Sequence, residues 1–179
     1  MGTRSSDRAG TNIGRLRTKA AWRIAADLEA GLPDRAVILH DRTVPDHTWH
    51  IDHIAVAPSG VWVIDVEDVH GRVEQRDELF RPDFRVIVGG KDRSHLIDSM
   101  PRQAEAVAAA LGSGDVPPVV PVVCFVHAEW PLLSKPFKQH GVWVTWPREL
   151  VSMIATSEVL DDPVIDEIAA ELDRRLPAA

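Results

Sequence analysis

Two apolar runs rich in Val, Ile and Trp, near residues 49–57 and 60–67, flank Ala57-Pro58-Ser59-Gly60 and predict a β-hairpin. Pro58 stands where a turn wants φ near about −65°, and Gly60 closes it. A short strand at 36–39 precedes the hairpin, and strands at 71–76 and 84–88 follow it. Residues 118–126 are a nearly unbroken Val run, the pattern of a strand buried on both faces, and 141–145 give the last strand. Helical spacing occupies 16–32, with Gly31 ending it, and 96–111, where Pro101 marks a first turn or a kink and Gly112 the stop. Helices at 147–155 and 163–176 complete the set, the latter with Asp162 as N-cap and Pro163 at its first position. Residues 1–14 lack apolar rhythm and read as a flexible tail, leaving 15–179 as one domain. The sum is an α/β chain with a mixed β-sheet core flanked by α-helices.

The hairpin also carries the candidate chemistry. If Ala57 faces Gly60, paired residue numbers sum to 117, so Asp52 falls opposite Asp65 at a Cβ separation of roughly 5 Å. A one-residue bulge would break that pairing. Side chains alternate along a strand, so Glu67 points where Asp65 points. Three carboxylates on one side repel one another unless a divalent cation, a proton or a basic side chain compensates.

At these residues the chain resembles the nuclease-related domain (NERD) family, a branch of the restriction-endonuclease-like PD-(D/E)xK superfamily. The resemblance is carried by Leu39-His40-Asp41-Arg42, by Ile51-Asp52-His53-Ile54-Ala55-Val56, by the run from Pro58 to Asp65, and by Gly71-Arg72-Val73. It continues from about Ala20 to near Leu176. It implies a restriction-endonuclease-like fold and a Mg²⁺- or Mn²⁺-dependent phosphodiesterase site. That site takes a helix Glu, the Asp of the first hairpin strand and an Asp-x-Lys pair on the second. Asp52 and Asp65 match the two Asp positions; Glu67 stands where the family has its Lys, and Ala21 where it has its Glu. The implied metal ligands are Asp52, Asp65 and Glu67. Gln103, in Pro101-Arg102-Gln103-Ala104, matches a Gln that related nucleases place beside the metal, and Lys19 is the nearest lysine that could replace the missing one.

The missing Lys matters because in-line attack on a phosphodiester builds a doubly negative transition state, which an ammonium offsets while positioning the attacking water. Glu67 brings the opposite sign. Two functions follow. The favoured one is a degenerate relative, kept as a nucleic-acid- or protein-binding module with lost or impaired catalysis. The other is an active metal-dependent DNA phosphodiesterase that uses Asp52, Asp65 and Glu67 with Lys19 or an Arg in the Lys role, Gln103 lining the cleft.

Composition narrows the partners. The net charge of −7 argues against strong unaided affinity for nucleic acid, which depends on counterion release by Lys and Arg. Arg72, Arg76, Arg81 and Arg85 cluster just beyond the hairpin, as a solvated strand face or as phosphate contacts. One cysteine, Cys124, lies in the Val run and excludes an intramolecular disulfide. Without an apolar leader or a span-length stretch, the expectation is a cytoplasmic chain with no membrane contact. His50 and His53 fall on opposite strand faces, which disfavours a shared zinc and predicts a structural His53. Trp62 and Trp143 read as core, Trp49 and Trp146 as less settled, and Asp68 and His70 as a turn beside the site.

Overall fold

The computed structural model describes residues 20–32, 35–77, 84–112, 117–156 and 159–179. The expected tail 1–14 and Lys19 lie outside the described residues. Helix α1 occupies residues 20–31. Three antiparallel strands follow: β1 (Val37–Thr43), β2 (His50–Ala57) and β3 (Gly60–Asp77). After β4 (Phe84–Val88) and β5 (Lys91–Asp92) come α2 (Ser94–Asp98) and α3 (Met100–Leu111). Then come β6 (Val119–Glu129), β7 (Phe137–Gln139), β8 (Val142–Thr145), α4 (Pro147–Ala155) and α5 (Asp162–Arg175).

The strands form one mixed sheet in the order β1-β2-β3-β6-β8-β7, with β4 and β5 attached to β3. β6 lies between β3 and β8, parallel to both, which is why its sequence is an almost continuous Val run with no polar face. Ile54, Val56, Val61 and Val63 pack on one side of the sheet with Ile97, Met100, Val107, Ile165 and Leu172 of α2, α3 and α5. Ala55, Trp62, Ile64 and Val66 pack on the other side with Ile24 and Leu28 of α1 and Leu150 and Ile154 of α4. Cys124 is fully buried on that second side, and burial pushes its thiol far above the ordinary range. Among the described residues no helix is long and apolar enough to cross a membrane.

Several elements depart from their sequence expectation, each for a tertiary reason. The strands expected at 60–67 and 71–76 are one, the 18-residue β3. It pairs with β6 as far as Arg72↔Glu129 and with β4 from Val73↔Val88, through a bulge between Asp68 and Gly71. Gly71, at φ 103°, lies so close to the β4–β5 turn that a Cβ would come 2.5 Å from the Cα of Gly89. Gly31 does not end α1 with a left-handed turn, since its φ is not positive. A Cβ there would sit 2.6 Å from Val151 Cγ1, so its role is to let α1 approach α4. The helix expected over 96–111 breaks at Ser99 into α2 and α3, where Pro101 supplies no N–H for the carbonyl four residues back. α5 begins one residue earlier than expected, with Asp161 as its cap.

Candidate functional site

The hairpin register is the one expected, from Ala57↔Gly60 to His53↔Ile64. The ladder then stops. At the position where Asp52 would face Asp65 backbone to backbone, the Val66 N–H donates instead to Asp52 Oδ2 at 2.9 Å. Beyond this point β2 stays with β1 through Ile51↔Arg42 and His50↔Thr43, while β3 stays with β6 through Asp65↔Val123 and Glu67↔Phe125. The two strands of the hairpin therefore part at Asp52. Alternation from Ile54 and Val63 puts Asp52, Asp65 and Glu67 on the face covered by α2, α3 and α5. Asp65 is buried, Asp52 and Glu67 half-buried.

A cleft of about 550 Å³ lies at Asp52. His40, Asp41, His50, Asp52 and His53 line it from the sheet, Trp49 from the loop before β2, Ser99, Arg102 and Gln103 from the break between α2 and α3, and Ala21 and Trp22 from α1. Gln103 is 7% exposed, and its Oε1 is buried without a hydrogen-bond partner. A buried amide oxygen left unbonded costs about 1–3 kcal/mol, so its place in the cleft that Asp52 also lines asks for a donor or a cation from the cleft. Carboxylates and an amide oxygen are the hard oxygen donors that Mg²⁺ or Mn²⁺ takes. Asp52 and Gln103 thus bring oxygen donors suited to such an ion to the cleft, while Asp65 and Glu67 are not among its lining residues.

His53 lies on the opposite face, as its position in the strand requires, and fastens α1 to the sheet. Its Nε2–H donates to the Ala21 carbonyl at 3.0 Å, and its Nδ1 lies 2.8 Å from His40 Nδ1. With Nε2 carrying the proton, Nδ1 accepts from His40. Burial first, and the neighbouring His40 second, lower the His53 pKa to about 4, so the ring is neutral at pH 7. The bond to Ala21 anchors the first described turn of α1, which brings the backbone of Ala21 to the cleft with a methyl in place of the family carboxylate.

Other candidates are dispersed. Arg76 pairs with Glu74 at 3.0 Å and Arg85 with Asp92 at 3.1 Å, which offsets much of the expected basic face; Arg81 lies outside the described residues. Trp62 is core, donating from Nε1 to Ser59 Oγ, whereas Trp143 is half-buried under the Lys138 ammonium. Asp68 and His70 belong to β3 and not to a turn. Sequence reasoning missed Trp22, 61% exposed at the cleft, and Arg102, one residue before Gln103. Their helical positions carry no signal of their own, because what makes them cleft residues is that α1 and α3 meet segments far away in sequence.

Comparison with curated proteins and with solved structures returns no match. The family model of the nuclease-related domain matches residues 16–126, more than half of the 179-residue chain and a span that includes Ala21, Asp52, Asp65, Glu67 and Gln103. With an eight-stranded mixed sheet flanked by helices and the Asp pair at the mouth of its hairpin, the chain belongs to the nuclease-related domain (NERD) family, within the general class of PD-(D/E)xK nucleases.

Proposed function

We propose that this domain is a degenerate member of its family, one that binds nucleic acid through a divalent cation at Asp52, Asp65, Glu67 and Gln103 and whose catalysis is impaired. The observation that carries this reading is the buried Oε1 of Gln103, without a hydrogen-bond partner among the described residues, in the cleft that Asp52 also lines. When bound, such a cation would supply positive charge to offset a phosphate group in the cleft. Asp52 is held in place by the Val66 N–H, so one donor is oriented before any ion arrives. Trp22 and Trp49 offer aromatic surface to a base or sugar. Glu67 places a negative group where the transition state calls for a positive one, and the methyl of Ala21 supplies no carboxylate at all.

Arg102 supports a second reading, an active Mg²⁺-dependent phosphodiesterase, because its chain lines the same cleft and a guanidinium there could take the Lys role. Lys19 is the other candidate for that role. A metal-titrated cleavage assay on single-stranded and duplex DNA separates the two. Wild type is expected to bind DNA in a Mg²⁺-dependent way with little cleavage, while Ala21→Glu combined with Glu67→Lys cleaves strongly and neither change alone does. The effects should be non-additive because both groups act on one transition state. Wild-type cleavage at a rate the double variant does not exceed sinks the degenerate reading. If neither metal nor DNA binds, the remaining role is protein recognition.

A further inference from the structure

On the other face of the sheet, away from the carboxylate cleft, Asp68, His70 and His127 bring three ligand atoms within 4.8 Å of one another. We propose that they form a second metal site, for a first-row divalent transition ion of the Zn²⁺ class. This inference does not depend on the function of the cleft.

Two backbone irregularities create the cluster. Between the rungs Asp68↔Val126 and Gly71↔Ala128, β3 has two residues, Val69 and His70, against the single His127 of β6. His127 itself has φ 64°, a left-handed backbone that a residue with a Cβ adopts at a cost of about 1–2 kcal/mol. Val126 packs on the α1 side, so regular alternation would send His127 to the other side. The left-handed turn returns it to α1, where Arg23 Nη1 donates to its Nε2 at 2.8 Å. Its ring then stacks on His70, with centroids 5.2 Å apart. His127 Nδ1 lies 2.8 Å from Asp68 Oδ1, and His70 Nδ1 lies 3.7 Å from the same oxygen.

Ligand atoms around a tetrahedral ion stand roughly 3.4 Å apart, a spacing these side chains reach with small rotations. Two imidazoles and one carboxylate favour Zn²⁺, Co²⁺ or Ni²⁺ over Mg²⁺, and water would complete the coordination. Arg23 competes. While it donates to Nε2, the ring proton sits on Nδ1 and points at Asp68. An ion on Nδ1 needs that proton moved to Nε2, which ends the Arg23 bond. Arg23 is exposed and free to swing aside.

The test uses tag-free, chelator-stripped full-length protein, titrated with Zn²⁺ while the melting temperature is followed and with Co²⁺ while visible absorption is recorded. Saturable binding of both ions is expected, with the absorption of a low-coordinate Co²⁺ complex. The His70 side chain is 75% exposed, so His70→Ala should keep the fold, checked by circular dichroism, and weaken binding by more than roughly tenfold. His127→Ala should do the same. Arg23→Ala should tighten binding, and Asp65→Asn should leave it unchanged. The proposal is overturned if wild type shows no saturable response up to about a millimolar ion. It is equally overturned if His70→Ala binds like wild type, or if Asp65→Asn abolishes the response and so places the ion in the cleft.

Discussion

Replacing Asp52 by Ala and by Asn separates its structural work from its proposed metal work. Val66 is fully buried, and its N–H donates to Asp52 Oδ2 at 2.9 Å where the hairpin ladder ends. Asp52→Ala removes that acceptor and leaves a buried N–H unbonded, a loss of about 1–3 kcal/mol. For a chain of this size each kcal/mol moves the melting temperature by roughly 2–4 °C, so a loss near 2 kcal/mol should lower it by about 4–8 °C. Asp52→Asn keeps a carbonyl oxygen at the same reach and exchanges a charged acceptor for a neutral one, at a cost below about 1 kcal/mol. Thermal melts followed by circular dichroism, with chelator and with millimolar Mg²⁺, measure both effects. In chelator the order of stability should be wild type, then Asn, then Ala. With Mg²⁺ only wild type should gain, because an ion bound by the folded state alone stabilises by mass action. If the Ala variant melts with wild type in chelator, the Val66 N–H has another acceptor and the account of the strand junction fails. If the Asn variant keeps the full Mg²⁺ shift, the ion does not use Asp52.

Gly71→Ala should destabilise by more than about 2 kcal/mol in urea unfolding, from its left-handed backbone together with a 2.5 Å approach to Gly89 Cα. Gly90→Ala, with φ 77° and open space around it, should cost only about 1 kcal/mol; equal losses would show that packing between β3 and the β4–β5 turn is unimportant. His53 titrates near 6.5 when unfolded and near 4 when folded, so the unfolded state binds more protons between those values and stability rises with pH across that window, levelling above it. Urea unfolding at pH 7 and pH 5 should show wild type losing stability relative to His53→Gln as pH falls, by about 2 kcal/mol; parallel curves would mean that His53 is not held neutral. Asp65→Asn should remove the Mg²⁺-dependent rise in melting temperature, and a shift equal to wild type would place that ion elsewhere.

Short-range rules were enough for the hairpin, its turn and its burial pattern. The period of two and a four-residue turn fixed the hairpin register, because a slip of one residue would move Ile54, Val56, Val61 and Val63 off the face that packs on α2, α3 and α5. The same alternation sent His53 away from Asp52, and the Val run could only be an interior strand. The same register singled out the Asp pair, and the resemblance to the nuclease-related family added its expected role and the Gln, which periodicity alone does not single out. Other features depended on chain segments far apart in sequence. Gly31 is small because Val151 arrives from α4, β3 is one strand because β4 takes over where β6 leaves, and Gln103 shares a cleft with Asp52 although the two are 51 residues apart. His127 is the clearest case: alternation places it on the wrong side, and a positive φ set by a bulge in the neighbouring strand reverses it. A sequence pattern records which residues prefer burial and which backbone angles are inexpensive. The costly angles and close approaches exist only because packing elsewhere compensates them, so they belong to the tertiary structure.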